Sequence, residues 1–155
     1  MKKPYVITVV IIIVIIIATF LLFNRKQAQA PIGVISYSGE NAVNMIKITS
    51  LEPNSVISSP LKITGQARGN WYFEASFPIV LVDWDGKIIA NGHADAKSDW
   101  MTENFVPFEA TLEFTKPVCA SGIDYCKRGS LILKNDNPSG LPQNDKAAEM
   151  PVLFE

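Results

Sequence analysis

The sequence is poor in the residues that carry most enzymatic chemistry. It contains one histidine, His93, and two cysteines, Cys119 and Cys126, in 155 residues. A lone imidazole with no serine or cysteine motif beside it leaves little for a nucleophile–base pair, so we interpret His93 as a surface side chain. No CxxC pair is present, which excludes the common zinc and thiol-redox spacings. We therefore expect no catalytic residue, no cofactor and no resident metal.

Carboxylates offer two weaker candidates for chemistry. The nearest pairs for acid–base work are Asp83 with Asp85 and Asp95 with Asp99. We favour turn and solvent roles, because a hairpin turn accounts for Asp85 directly. The loop 136–145 concentrates Asp, Asn and Ser oxygens, which are ligands that calcium prefers. The same residue types stabilise turns through their own backbone, so a structural loop is favoured and a bound cation is the alternative.

Basic residues are scarce after the first 26 positions. Four of the 14 flank an uncharged run, namely Lys2, Lys3, Arg25 and Lys26. Residues 27–155 therefore hold ten basic and 15 acidic side chains, a formal net charge of about −5. That sign opposes binding to nucleic acid, so we expect no nucleic-acid partner. We also expect no small-molecule substrate.

The uncharged run covers residues 5–23, which are 19 residues long. As a helix it measures roughly 28 Å, close to the hydrocarbon thickness of a bilayer, and only a helix satisfies its backbone there. We predict a single-pass transmembrane anchor in the lipid bilayer. The alternative is a signal peptide cleaved after Ala30, since Ala28 and Ala30 have a small-x-small spacing. The run is longer than a signal-peptide core, and Arg25 and Lys26 precede the site, which favours the anchor.

The two cysteines indicate in which cellular compartment the C-terminal domain lies. The charges on either side of the run nearly match, so they do not decide its orientation. Cys119 and Cys126 lie seven positions apart between two strand-like runs, a spacing that suits a disulfide across a hairpin. Two free thiols are the alternative. A disulfide would place the C-terminal domain outside the cytoplasm.

After the anchor, the pattern changes from a spacer to short alternating runs. We predict a tail at 1–4, the transmembrane helix at 5–23, a spacer at 24–44 and a β-domain at 45–155. The predicted strands are 46–51, 61–67, 77–83, 87–95, 108–115, 129–134 and 150–154. About seven short strands in this length predict an all-β, antiparallel β-sandwich.

Two segments of the predicted β-domain allow predictions about strand faces and strand pairing. In 108–115, Phe108, Ala110, Leu112 and Phe114 alternate with polar residues, which predicts one core face and one wet face. Asp85-Gly86 predicts a tight hairpin that pairs 77–83 with 87–95 in antiparallel fashion, since Gly supplies the positive φ of such a turn.

The strand 77–83 has apolar residues on both faces. Phe77, Ile79 and Leu81 share one face, and Val80, Val82 and Trp84 share the other. The second face needs a cover. The loops 71–73 or 100–105 would cover it in the simpler interpretation, and a binding partner would cover it in the functional one.

Aromatic residues suggest a further alternative. Trp71, Tyr72, Trp84 and Trp100 could stack on the apolar faces of cell-wall sugars. A sandwich of this size also uses Trp to fill its interior, and that role is favoured.

Several strings resemble a known family. They are SPLKITGQARG (59–69), WYFEASFP (71–78), WMTE (100–103), FVPFEA (105–110), NPSG (137–140) and PV (151–152). Over about residues 45–154 the chain resembles the immunoglobulin-like domain of bacterial spore germination. The resemblance implies an immunoglobulin-like sandwich and a location in the bacterial cell envelope.

These observations together predict a non-enzymatic module of the bacterial cell membrane, with its C-terminal domain extracytoplasmic. We expect it to act as an adaptor that binds another envelope protein. The predicted surface comprises Trp71, Tyr72, Val80, Val82, Trp84 and Trp100. The alternative is a module that binds cell-wall glycan.

Overall fold

A computed structural model describes residues 34–121 and 124–155 of the chain. No helix long and apolar enough to cross a bilayer occurs in these two ranges. The predicted transmembrane segment 5–23, the signal-peptide alternative and the first part of the predicted spacer lie outside them.

The described residues form nine β-strands and four single turns of 3-10 helix. The strands are β1 (Ser36–Ser38), β2 (Ile46–Ile48), β3 (Ser55–Ile57), β4 (Leu61–Arg68), β5 (Ser76–Asp83), β6 (Ile88–Ala96), β7 (Phe105–Leu112), β8 (Arg128–Lys134) and β9 (Ala147–Phe154). The 3-10 turns are Ala42–Asn44, Gly69–Trp71, Tyr125–Lys127 and Pro142–Asn144.

The strands form one continuous sheet in the order β1-β9-β8-β5-β6-β7-β4-β2, with β3 beside β9. Every pairing is antiparallel except that of β3 with β9. Strand β6 pairs with β5 along most of its length and reaches β7 only through Asp95 and Ala96. The sheet therefore folds over at β6, which gives the two layers of a sandwich.

The core lies between these two layers. Phe77 of β5 and Phe108 of β7 meet there edge to face, with ring centroids 5.0 Å apart. Ile63, Leu131 and Met150 are fully buried around them. Each of these residues occupies the inward position of an alternating strand, which is why polar residues between them can face solvent.

The predicted all-β sandwich is confirmed, and the alternation predicted for Phe108, Ala110 and Leu112 is observed as three buried side chains. The strand itself is displaced, since β7 covers Phe105–Leu112. It ends at Leu112 because its partner there is Leu61, the first residue of β4. Within the described ranges no strand lies opposite residues 113–115, and Phe114 there is half-buried against the core.

Two strands were missed by the sequence prediction, and the spacer boundary was wrong. Strand β1 and the Ala42–Asn44 turn lie within the predicted spacer 24–44, and β1 pairs with β9. Strand β3 is also only three residues long. A run of three residues is too short to show a periodic pattern. The strand conformation of β1 and β3 depends on pairing with β9.

The predicted hairpin between β5 and β6 is confirmed. Gly86 has a φ of 78°, the left-handed conformation that the turn requires. The turn is organised by Asp83 more than by Asp85, because the Asp83 Oδ1 atom accepts hydrogen bonds from the backbone N–H groups of Asp85 and Lys87.

Candidate functional site

The layer that contains β5, β8 and β9 has an apolar side that faces away from the core. Val80 lies directly opposite Ile132 of β8, so the two side chains share this side. On this side of β8 and β9, apolar and polar residues alternate, because Ile132 lies opposite Glu149 and Pro151 lies opposite Ser130. Val56 of β3 lies opposite Leu153 of β9. We define the outer apolar face as Val56, Val80, Val82, Ile132, Pro151 and Leu153.

This outer apolar face remains open to solvent over part of its area. Val80 and Val82 are half-buried, and Val56 is 65% exposed. At its rim, Trp84 and Tyr125 pack edge to face with ring centroids 4.8 Å apart, and they are 49% and 51% exposed. Val80, Val82 and Trp84 are thus all partly exposed.

Trp71 and Tyr72 do not belong to a surface, so the prediction that placed them there was wrong. Trp71 is 0% and Tyr72 3% exposed, because the turn Gly69–Trp71 carries both side chains into the core. The Tyr72 ring packs against Phe77 at 5.2 Å, and its hydroxyl donates to the Val106 carbonyl oxygen at 2.7 Å. Burial raises the pKa of the Tyr72 phenol far above its ordinary value.

Trp100 is half-buried against the core cluster. Its position removes it from the predicted surface with Trp84. The loops 71–73 and 100–105 were the predicted covers for the second face of β5, and the aromatic side chains Trp71, Tyr72 and Trp100 of these loops pack against the core instead. An aromatic platform for sugars made of Trp71, Tyr72, Trp84 and Trp100 is therefore excluded by geometry.

The polar residues considered for catalysis have structural or solvent positions. His93 is exposed and lies opposite Pro78. Asp83 caps the hairpin turn, and the Asp99 Oδ1 atom accepts a hydrogen bond from the Met101 backbone N–H at 3.0 Å. Asp95 lies opposite Glu109 of β7. On the β5 side, Asp95 lies opposite Ser76, whereas His93 pairs with Pro78, so the strand pairings place no imidazole opposite this serine–carboxylate pair.

The loop 136–145 is held together by its own side chains. The Asn137 amide donates to the Leu141 carbonyl oxygen at 2.9 Å and to the Asp145 carboxylate at 2.7 Å. The Asn144 amide donates to the Ser139 hydroxyl at 3.0 Å. These bonds use the oxygens that a cation would need. Among the residues in the described ranges, no three His, Cys, Asp or Glu side chains are grouped to hold a metal ion.

The predicted disulfide between Cys119 and Cys126 is confirmed, with Cα atoms 5.7 Å apart. It closes the connection between β7 and β8, next to the turn that carries Tyr125. The Lys127 Nζ atom in the same turn lies 2.9 Å from the Asp124 Oδ1 atom. The hydrogen bond that Lys127 donates there holds the pKa of the Asp124 carboxyl below its usual range.

Sequence reasoning missed a groove of about 640 Å³ at the opposite end of the sandwich from Trp84. The Ala42–Asn44 turn, the Gly69–Trp71 turn, the loop before β7 and the start of β9 form its walls. We call it the polar groove, and its lining side chains are mainly Asn, Glu, Arg, Lys and Thr. No pattern in the sequence joins these four segments, because only the folded sheet brings them together.

The family comparison applies to the sandwich that holds both surfaces. Residues 45–123, about half of the chain, match the family model of the immunoglobulin-like domain of bacterial spore germination. The chain belongs to this family. The match of this spore germination immunoglobulin-like domain includes β2 to β7 and Cys119, and β8, β9 and Cys126 complete the sandwich beyond it. Searches of curated proteins and of solved structures each find no match.

Proposed function

We propose that the protein is a membrane-anchored, non-enzymatic module of the bacterial cell envelope that binds another envelope protein through its outer apolar face. Membership in the spore germination immunoglobulin-like family supports a binding role. The uncharged run 5–23 supports an anchor, and the disulfide Cys119–Cys126 supports an extracytoplasmic domain.

The outer apolar face is the observation that carries the proposal. Antiparallel sheets with one solvated side alternate apolar and polar residues, and β5 departs from that rule because Val80 and Val82 face away from the core. Exposed apolar patches rimmed by polar residues are typical of sites where proteins associate. The departure is therefore better explained by a partner than by the stability of the sandwich.

The rim of this face has the composition of an interface anchor. Trp84 and Tyr125 pack edge to face against each other and are each about half exposed. Tryptophan and tyrosine dominate the binding energy of many interfaces, because they bury a large apolar area at a small entropic cost. We expect the partner to contact Val80 and Val82 and to enclose the Trp84 ring.

The test is in-membrane crosslinking of the tagged full chain, followed by identification of the captured proteins. The wild type is compared with the double variant Val80→Ser/Val82→Ser, which removes apolar area from the outer face. We expect a defined protein that crosslinks to the wild type and is reduced at least about tenfold in the variant, since about 1.4 kcal/mol of lost binding free energy corresponds to that factor.

The matched control is Val43→Ser, a valine that is also exposed but lies in the Ala42–Asn44 turn. The control should crosslink as the wild type does. Equal capture by the double variant and the wild type would remove the outer apolar face from the proposal. Equal loss in Val43→Ser would show that the effect is not specific to this face.

A further inference from the structure

The polar groove contains three carboxamide side chains that make no hydrogen bond to another described protein group. Asn41, Asn44 and Asn70 line it and are exposed, and within the described ranges no hydrogen bond joins the carboxamide of any of them to another protein group. A carboxamide offers two N–H donors and an acceptor oxygen on one small group. Three such groups around one concave surface can bind a ligand that carries both donors and acceptors.

The charges of the polar groove cancel. Glu40 and Glu103 contribute two carboxylates, and Arg68 and Lys146 contribute two cations. A site for phosphate or another strong anion would carry an excess of positive charge. A balanced set of charges next to carboxamides favours a neutral, hydroxyl-rich ligand.

The walls of the groove are held in place without a ligand. The Arg68 guanidinium lies over the Phe105 ring, 4.3 Å from its centroid, and donates to the Glu103 carbonyl oxygen at 3.0 Å. Gly69 permits close approach of the loop, because a Cβ atom there would lie 1.8 Å from the Thr102 carbonyl oxygen. A preformed site loses little conformational entropy on binding, which favours affinity for small ligands.

We propose that the polar groove is a binding site for a neutral oligosaccharide, whose hydroxyl or acetamido groups hydrogen-bond to Asn41, Asn44 and Asn70. Sugar hydroxyls both donate and accept, which matches the carboxamides. A volume of about 640 Å³ has the size of a site for a small organic ligand, such as a few sugar rings. This site is separate from the outer apolar face, so the proposal does not depend on the proposed protein partner.

The test is calorimetric titration of the full chain, purified without sugar-based detergents, with the tetramer of N-acetylglucosamine. We expect saturable binding by the wild type and about tenfold weaker binding by Asn44→Ala/Asn70→Ala, because two hydrogen-bonding side chains are lost. The matched control Asn91→Ala removes an exposed carboxamide from β6, outside the groove, and should bind as the wild type does.

Three results would overturn the proposal. The first is no saturable binding of the tetramer or of maltotetraose, a neutral sugar without acetamido groups, by the wild type. The second is equal weakening in Asn91→Ala and the double variant. The third is saturable binding of pentaalanine in the groove with no binding of either sugar, which would assign the site to extended peptide. Thermal unfolding of each variant confirms that the chain remains folded.

Discussion

At the scale of the residue, aromatic side chains take two opposite environments that composition does not distinguish. Trp71 is fully buried, and its carbonyl oxygen accepts a hydrogen bond from the Asp136 backbone N–H at 3.0 Å. Trp84 directly follows β5 and is half exposed. Both tryptophans lie within a few residues of the end of a strand. Sequence position alone therefore assigned both of them to the same predicted surface.

The two tryptophans should therefore differ sharply in their effect on stability. Trp71→Ala removes a fully buried indole and should lower the free energy of unfolding by about 3–5 kcal/mol. Trp84→Ala should cost about 1 kcal/mol, mainly from the lost ring contact with Tyr125. Urea denaturation of both variants checks this. Equal losses would contradict the burial of Trp71 between the layers.

Tyr72 gives a prediction about alkaline stability. Burial raises the pKa of its phenol, so the folded state keeps the proton at a pH where the unfolded chain releases it. The stability from this group is complete below the unfolded pKa of about 10 and decreases above it by about 1.4 kcal/mol per pH unit. Tyr72→Phe removes this pH-dependent contribution to stability and loses the hydrogen bond to the Val106 carbonyl oxygen.

The measurement is the free energy of unfolding of wild type and Tyr72→Phe from about pH 8 to about pH 11. At the lower pH the variant should be less stable by about 1 kcal/mol, because one buried hydrogen bond is missing. The difference should narrow as pH rises above about 10. A constant difference over the whole range would show that Tyr72 ionises equally in both states.

At the scale of the element, local chemistry explains the β5–β6 hairpin and fails for β1 and β3. The Gly86 backbone N–H donates to the Asp83 carbonyl oxygen at 3.0 Å, and Asp83 also bonds the turn through its side chain. All of these contacts lie within five residues, so the sequence was sufficient to predict the hairpin. Strands β1 and β3 depend on β9, more than 90 positions later, and the sequence around them gave no signal.

The turn provides a prediction for one glycine. A Cβ atom at Gly86 would have no heavy atom within 4 Å, so substitution there acts through the backbone conformation alone. Gly86→Ala should lower the free energy of unfolding by about 1–2 kcal/mol, because a left-handed φ costs that much for an L-residue. Gly86→Asn should cost less, since Asn tolerates this region. Urea midpoints compare the two, and equal costs would contradict a purely conformational effect.

At the scale of the whole molecule, the fold places two unlike surfaces at different parts of one sandwich. The outer apolar face lies on the layer of β5, β8 and β9, with Trp84 at its rim. The polar groove lies at the other end, where the Ala42–Asn44 and Gly69–Trp71 turns meet. The two surfaces share no residue, so each can be altered by substitution without the other.

The amino-acid sequence by itself determined the all-β class, the hairpin at Gly86, the disulfide and the family, and it showed that β5 is apolar on both faces. Each of these depends on neighbouring residues or on an ordered set of motifs. The tertiary structure decided that Trp71 and Tyr72 face the core while Val80, Val82 and Trp84 remain outside. It also decided the polar groove, because burial and concavity arise where segments distant in the chain pack together, and no local pattern records which segments meet.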